Sequence, residues 1–130
     1  MFKHISYLCI LLCSTFAVAH TIPEISQQQL QALTSAGKPA VVILDVRTPE
    51  EYHQGHVPGA INISHTQIIQ HLSKLEPFKN QPIVVYCRSG KRAAIAEKIL
   101  TAHGFKQLKH LTGDMNGWQT AQLPIEKSQP

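Results

Sequence analysis

Residues 83–92 read IVVYCRSGKR, an apolar run that meets a short polar loop at Cys87. Four consecutive β-branched or aromatic residues followed by turn residues are typical of a strand buried on both faces. The next stretch, 92–103, has helical spacing, with Ile95, Ile99 and Ala102 predicted to face inward and Gly104 to end the helix. The sequence therefore predicts a strand, a tight loop of residues 88–91 and a helix.

The same alternation continues on both sides of this unit. Ser26 and Gln29 have the form of a capping box, as do Thr48 and Glu51 with Pro49 between them. The predicted elements are a lead-in at 20–24, a helix at 26–36 ended by Gly37, a strand at 40–46, a helix starting at Thr48, a strand at 60–63, a helix capped by Ser64 with Ile68, Leu72 and Leu75 on one face, a strand at 105–111 and a helix at 115–121. This order indicates an α/β fold, a central parallel sheet with helices on both faces. In such sheets the ligand site lies beyond the carboxyl ends of the strands.

The N-terminal 19 residues have the features of a signal peptide. Lys3 precedes the apolar stretch 5–18, and Ala17-Val18-Ala19 has the small-x-small form of a cleavage site. About 15 apolar residues fall short of the roughly 20 that cross a bilayer, so we expect cleavage rather than an anchor. The predicted organisation is a signal peptide at 1–19 and one domain at 20–130, exported, to the periplasm in a bacterium, with no membrane attachment after cleavage.

Cleavage would leave Cys87 as the one cysteine of the mature chain, because Cys9 and Cys13 lie in the signal. No internal disulfide is then possible, and a chain of this length can rely on an ordinary apolar core. Removal of Lys3 lowers the net charge from +4 to +3. The basic residues are mostly scattered, so the composition gives no indication of nucleic-acid binding.

Cys87 is a candidate nucleophile because of its surroundings. Arg88, Lys91 and Arg92 place three cations within five residues, Gly90 lets the backbone curl, and a helix N-terminus follows. All three features stabilise negative charge, and the thiolate is the reactive form of cysteine. The alternative is an inert buried cysteine beside a solvated basic loop, which accounts for the charges but not for their position after a strand.

The length of the loop separates two chemistries. Cysteine phosphatases need five residues between the cysteine and the arginine that grips the phosphate, whereas Arg92 follows Cys87 after four, and Ala93 stands where that arginine would be. A shorter loop encloses a smaller space, which suits one additional sulfur atom better than a phosphoryl group. Sulfur transfer is therefore favoured over phosphatase or arsenate reductase activity.

Three stretches resemble the rhodanese homology domain: LDVRTPEEY at 44–52, GHVPGA at 55–60 and VYCRSG at 85–90. The resemblance runs from about residue 25 to residue 126. It implies that Cys87 is the nucleophile and that Asp45 and Arg47 order the rim of the pocket. It also implies a set of loop residues whose backbone amides surround the persulfide: Arg88, Ser89, Gly90, Lys91 and Arg92.

The activity that the resemblance implies is transfer of a sulfane sulfur from thiosulfate, or a related donor, to cyanide or a thiol acceptor. It needs no cofactor and no metal. Arg88 and Lys91 are the residues that we expect to bind the anionic donor. Two alternatives stay open: a persulfide carrier for a sulfur-acceptor protein, and a non-catalytic binding module for a partner protein.

One departure from the family pattern is Gly113-Asp114 before Trp118, where relatives usually have a pair of glycines. We expect the Asp114 side chain to point to solvent. His56 is expected to bond to backbone rather than act in catalysis, and the spacing of His53 and His56 is weak as a metal site because no third ligand follows. The other histidines are predicted to lie on the surface.

Overall fold

The computed structural model describes residue 14, residues 21–36 and residues 41–129. The predicted signal peptide, apart from residue 14, and the predicted helix end at Gly37 lie outside these ranges. The elements are β1 (Glu24–Ile25), α1 (Gln27–Ser35), β2 (Val42–Asp45), α2 (Pro49–Gln54), β3 (Ile61–Asn62), α3 (Leu72–Leu75), β4 (Ile83–Tyr86), α4 (Lys91–Ala102), β5 (Leu108–Leu111) and α5 (Asp114–Thr120).

One parallel sheet contains all five of these strands, in the order β1-β5-β4-β2-β3. β4 is the central strand, and each of its residues is buried. Asp45 at the end of β2 lies opposite Tyr86 at the end of β4, so the residues that follow both strands meet at one edge. The predicted parallel α/β sheet is confirmed, although β1 was not predicted, because residues 20–24 were interpreted as a short lead-in.

Alternate residues of β4 face two separate cores. Val85 and its neighbours pack with Leu100 of α4 on one face. Tyr86 packs with Leu30 of α1 and Trp118 of α5 on the other. This confirms the prediction of helices on both faces. Within the described ranges, none of the helices has the length and apolar character needed to span a membrane.

Both predicted capping boxes are present. Ser26 Oγ accepts a hydrogen bond from the Gln29 amide at 3.1 Å, and Gln29 Oε1 accepts one from the Ser26 amide at 2.9 Å. Thr48 and Glu51 make the same reciprocal pair at the start of α2. These bonds satisfy amides that the first turn of a helix leaves without partners, and they fix where both helices begin.

The predicted inward face of α4 was wrong for Ile95 and Ala102, which are exposed, while Ile99 is half-buried against the core as predicted. Ile95 is 46% exposed, whereas Ala93, Ala96, Glu97 and Leu100 are buried. The loop after β4 fixes the start of the helix and therefore which side meets the sheet. The small alanine side chains allow a close approach to β4, and a prediction based on the largest apolar residues chose the opposite side.

The segment after β3 also differs from the prediction. Ser64 makes no side-chain cap, because its hydroxyl donates to the Arg47 carbonyl at 3.1 Å. Short 3₁₀ turns and α3 replace the single helix, although Ile68 and Leu75 are buried as predicted.

β5 begins at Leu108 rather than at residue 105, because the Phe105 amide still donates to Leu100 of α4. α5 begins one residue earlier than predicted, at Asp114.

Candidate active site

Cys87 lies immediately after β4, at the carboxyl edge of the sheet, and is 1% exposed. Its Sγ accepts a hydrogen bond from the Gly90 amide at 3.0 Å. This bond requires the loop to turn back on itself, and Gly90 does so with a φ of 108°, in the region that favours glycine. The sulfur atom therefore lies inside the curve of the loop, where a backbone amide stabilises negative charge.

The loop leads directly into α4, whose N-cap is Gly90. A helix of 12 residues carries partial positive charge at its N-terminus, and that end follows the cysteine loop. A second attachment holds the loop from the other side. The amides of Met115 and Asn116 donate to the carbonyls of Cys87 and Arg88, at 3.0 and 3.1 Å. The loop is thus fixed between two helix starts.

The two residues that the resemblance places at the rim of the pocket, Asp45 at the end of β2 and Arg47 just after it, form a buried ion pair. The Arg47 guanidinium donates to both carboxylate oxygens of Asp45, at 2.7 Å for the shortest contact, and also to the Gly55 carbonyl at 2.8 Å. Burial alone lowers the pKa of Arg47, but its hydrogen bond to Asp45 and the charge of that carboxylate outweigh burial and raise it. Through its hydrogen bond to the Gly55 carbonyl, Arg47 also fixes the turn that begins at Gly55.

Tyr86 completes this network from β4. Its hydroxyl donates to Asp45 Oδ2 at 2.6 Å and accepts from the Val57 amide at 3.1 Å. Burial, the charge of Asp45 and the hydrogen bond to it all raise the pKa of Tyr86, so the phenol stays protonated. The network joins β2, β4 and the turn before β3, which makes it structural.

Arg92 does not point freely into the loop. Its guanidinium forms a two-pronged ion pair with the Glu51 carboxylate, at 2.7 and 2.9 Å. The hydrogen bond from Arg92 is the main cause that lowers the pKa of Glu51 to about 2. This pair ties α4 to α2 across the carboxyl edge of the sheet. Among the predicted cations, Arg88 and Lys91 remain exposed and form no ion pair with a described residue.

A small polar cleft of about 260 Å³ lies beside the loop. Its charged lining residues are Arg47, Glu51 and Arg88, with amide side chains from Gln54 and Asn116. Arg47 is paired with Asp45 and Glu51 with Arg92, so Arg88 gives the cleft its positive balance, which suits a small anion. A larger cavity of about 820 Å³ lies away from the loop, and the described residues that line it carry no ionisable group.

Asp114 does not point to solvent as predicted. The residue is 3% exposed, and its Oδ1 accepts a hydrogen bond from the Cys87 amide at 2.9 Å. Its Oδ2 lies 2.9 Å from Nε2 of His110, whose Nδ1 contacts Glu97. His110 was predicted on the surface and is instead held between two carboxylates. The prediction failed because neighbours on β5, α4 and α5 are far apart in the sequence.

His56 and His53, the two histidines weighed as a metal site, make separate contacts. His56 Nδ1 contacts the Tyr52 carbonyl at 2.8 Å and its ring stacks on Tyr52, which confirms the structural interpretation. His53 contacts Ser128 instead, at 2.8 Å. The described residues hold no group of three His, Cys, Asp or Glu side chains arranged to bind a metal ion.

The structure thus brings Cys87, the loop and Arg47 to one edge and adds residues that the sequence analysis missed. Glu51 was interpreted only as a capping residue. Glu97 lies on the buried face of α4 together with Ala93, Ala96 and Leu100. A carboxylate among apolar residues at helical spacing is unusual, and this pattern could have identified Glu97 as a site residue. Tyr86 was interpreted only as part of an apolar strand.

Comparison with known proteins agrees with this geometry. Residues 26–121 match the family model described as rhodanese-like domain. The chain is 32% identical to the thiosulfate:glutathione sulfurtransferase of Saccharomyces cerevisiae, over 75% of this chain and 78% of that protein. It is 37% identical to the thiosulfate sulfurtransferase PspE of Escherichia coli, over 54% of this chain and 67% of that protein. The solution NMR structure of the rhodanese-like domain of the Alr3790 protein from Anabaena sp. superposes with a TM-score of 0.72 at 28% identity, covering 83% of this chain and 81% of that one.

Proposed function

The chain belongs to the rhodanese-like domain family, and we propose that this sulfurtransferase carries sulfur as a persulfide on Cys87, with thiosulfate as donor. The observation that carries the proposal is the position of Cys87 Sγ inside the loop, where it accepts the Gly90 amide at 3.0 Å. The same amide, with the helix N-terminus behind it, can stabilise the outer sulfur of a persulfide. The names of two relatives, both thiosulfate sulfurtransferases, support the choice of donor.

The reaction has two displacement steps. The Cys87 thiolate attacks the outer sulfur of thiosulfate, the sulfur–sulfur bond of the donor breaks with its electron pair leaving on sulfite, and the cysteine keeps the transferred sulfur as a persulfide anion. Cyanide then attacks that outer sulfur and leaves as thiocyanate, which restores the thiolate. A thiol acceptor, as its thiolate, would leave as a persulfide in the same way. No net oxidation occurs, so no cofactor takes part.

The positive cleft beside the loop supports the first step. Arg88 and Arg47 line it, and because Arg47 is paired with Asp45, the charge of Arg88 is what attracts a dianionic donor as it approaches. We propose Arg88 and Lys91 as donor-binding residues because both are exposed, whereas Arg92 is held by Glu51. Ser89 and Gly90 supply loop backbone, and Asp45 acts through Arg47.

The experiment that tests this function is mass spectrometry of the intact protein, expressed as residues 20–130. This form has Cys87 as its single cysteine, so any added sulfur is assigned without a mutation. We expect thiosulfate to add one sulfur atom and cyanide to remove it with release of thiocyanate. Protein alkylated beforehand is the control and should gain nothing.

Two outcomes would contradict the proposal. If neither thiosulfate nor polysulfide adds sulfur, sulfur transfer through Cys87 is wrong and a binding module becomes the better hypothesis. If sulfur is added but only a protein acceptor removes it, the catalytic use of cyanide and small thiols is wrong and the domain is a carrier.

We also propose that residues 1–19 direct export and are removed after Ala19, to give a periplasmic protein in a bacterium. The support is the sequence of Lys3, an apolar stretch and Ala17-Val18-Ala19. Expression of the full chain in a bacterium followed by osmotic release should yield a protein that starts at His20, as measured by intact mass. Recovery of the uncut chain in the cytoplasmic or membrane fraction would contradict export with cleavage.

A further inference from the structure

Three ionisable side chains lie behind the cysteine loop and take no part in the proposed reaction: Glu97 on α4, His110 on β5 and Asp114 at the start of α5. The two carboxylates are buried, and the His110 ring between them is half-buried, with 15% of its side chain exposed at the cleft beside Ser89 and Gly90. The His110 ring joins the two carboxylates, with Nδ1 toward Glu97 and Nε2 at 2.9 Å from Asp114. We call these residues the buried triad. Each member comes from a different element, so the triad is a product of the tertiary fold.

The buried triad contacts the main chain of the loop directly. Asp114 Oδ1 accepts the Cys87 amide at 2.9 Å, and a Cβ atom added at Gly90 would lie 3.1 Å from Asp114 Oδ2. Gly90 is also the residue whose amide reaches Cys87 Sγ. Asp114 therefore bonds to the residue that carries the sulfur and lies beside the residue whose amide holds it.

The backbone at Asp114 is unusual in the same place. Its φ is 52°, after a φ of 81° at Gly113. A residue with a side chain rarely adopts this left-handed region, and such residues persist where their surroundings enforce them. Here the carboxylate is bonded on both oxygens, to Cys87 and to His110, which holds Asp114 in this conformation.

The charges of the buried triad do not cancel. The hydrogen bonds from His110 to Asp114 and Glu97 raise the pKa of the imidazole to about 10, so the ring is positive at neutral pH between two negative carboxylates. The triad then has one net negative charge behind Cys87. Without the imidazolium the triad would have two net negative charges.

Other charged groups face the loop from every element packed against it. They are Asp45, Arg47 and Tyr86 at the strand ends, Glu51 on α2, Arg92 and Lys91 on α4, and Arg88 in the loop. Arg47 and Arg92 are each paired with one of the carboxylates, and Tyr86 is protonated. The exposed cations Arg88 and Lys91 are screened by water. None of these residues forms an ion pair with the triad, and Glu24 on β1 adds a further carboxylate at the cleft that the triad lines.

We infer that the buried triad is a positioning device that sets the reactivity of the Cys87 thiolate, with Asp114 holding the Cys87 amide and His110 supplying the countercharge that makes a buried carboxylate tolerable there. The inference rests on the proposed persulfide chemistry. His110 and Asp114 act through the loop and touch no substrate.

The test uses the rate of Cys87 alkylation by iodoacetamide as a function of pH, which needs no sulfur donor. His110→Gln leaves two carboxylates without a countercharge, and we expect the midpoint of the pH–rate profile to rise by about one pH unit. Glu97→Gln removes one negative charge and leaves the bond between His110 and Asp114 in place, so we expect the midpoint to fall. His103→Gln, an exposed histidine that lies outside the triad, is the matched control and should shift nothing.

Sulfurtransferase turnover gives the second readout. At pH values below the alkylation midpoint the His110→Gln variant should lose about tenfold in rate, in proportion to the thiolate lost, and should recover toward the wild-type rate as the pH rises. A merely structural defect would lower the rate at every pH and leave the alkylation midpoint unchanged. Midpoints equal to that of His103→Gln, or shifts of the same sign in both triad variants, would overturn the inference.

A measurement on the unmodified protein covers the case in which His110→Gln does not fold. Nitrogen-15 NMR of the imidazole ring should show both His110 nitrogens protonated at pH 8, and a neutral ring at that pH would overturn the inference. Failure of the proposed function is distinguishable, because the alkylation profile and the ring protonation do not depend on sulfur transfer. Opposite midpoint shifts without persulfide formation would leave the triad's role standing and remove only the donor chemistry.

Discussion

Replacement of Cys87 by serine is expected to lower the kcat/KM for thiosulfate and cyanide by at least about 1,000-fold. A serine hydroxyl stays protonated at neutral pH and cannot hold a sulfur atom as a persulfide, so both displacement steps are lost. The change is otherwise small. Serine Oγ can occupy the position of Sγ and accept the Gly90 amide, which keeps the loop closed. The measurement is the rate of thiocyanate formation, followed as its coloured ferric complex.

The thermal midpoint of the Cys87→Ser protein is the internal control, and it should stay within a few degrees of wild type. A folded serine variant that keeps a tenth of the activity would show that Cys87 is not the sulfur carrier. Ser64→Ala is the matched comparison, because it too changes a single side-chain atom at the carboxyl edge of the sheet. It removes the Ser64 hydroxyl, which donates a hydrogen bond to the Arg47 carbonyl. Its turnover should stay within about threefold of wild type, since positioning contacts away from the reacting atoms have smaller effects.

Asp45→Asn is expected to give the largest loss of stability, about 3–5 kcal/mol in the free energy of unfolding. The substitution keeps the shape of the side chain but removes the charge that balances the buried Arg47 guanidinium. It also places an amide NH₂ where Arg47 and the Tyr86 hydroxyl both need an acceptor. A largely buried cation without its partner is costly, because few water molecules can replace the lost carboxylate. Urea unfolding followed by circular dichroism measures the change.

Glu76→Gln is the matched control, since it removes a carboxylate from the exposed ion pair with Lys79. Exposed pairs contribute about 0–1 kcal/mol, so the two substitutions should differ by several kilocalories per mole. Equal losses would mean that the Asp45 network is not what joins β2, β4 and the Gly55 turn. The activity of Asp45→Asn should fall together with its folded fraction.

The local features of this fold could be predicted from the sequence because their causes are local. The capping boxes at Ser26 and Thr48 are set by residues three apart, and the strand of residues 83–86 is marked by its own composition. The position of Cys87 after that strand was predictable for the same reason. The parallel sheet followed from the alternation of strands and helices, which leaves few other arrangements.

The contacts that place the loop could not be predicted in this way. Asp114 bonds to Cys87 from 27 positions further along the chain, and His110 meets Glu97 only after β5 has packed beside α4. Helix spacing alone predicted the face of α4 that carries Ile95, whereas the geometry of the loop buries the face with Ala93 and Leu100. Tertiary packing decides which face of a helix is buried, and the spacing of apolar residues alone does not determine that face.

The sheet order has a consequence for how the chain folds. β1 is hydrogen-bonded to β5, so that Glu24 lies opposite His110. The first strand of the chain can therefore join the sheet only after the last strand is available to pair with it. Bringing together partners so distant in sequence is entropically slow, and contacts of this kind delay folding. A chain whose fifth strand has not yet emerged from the ribosome therefore cannot close its sheet. The domain reaches its final state only once Leu111 is free to pair with Ile25.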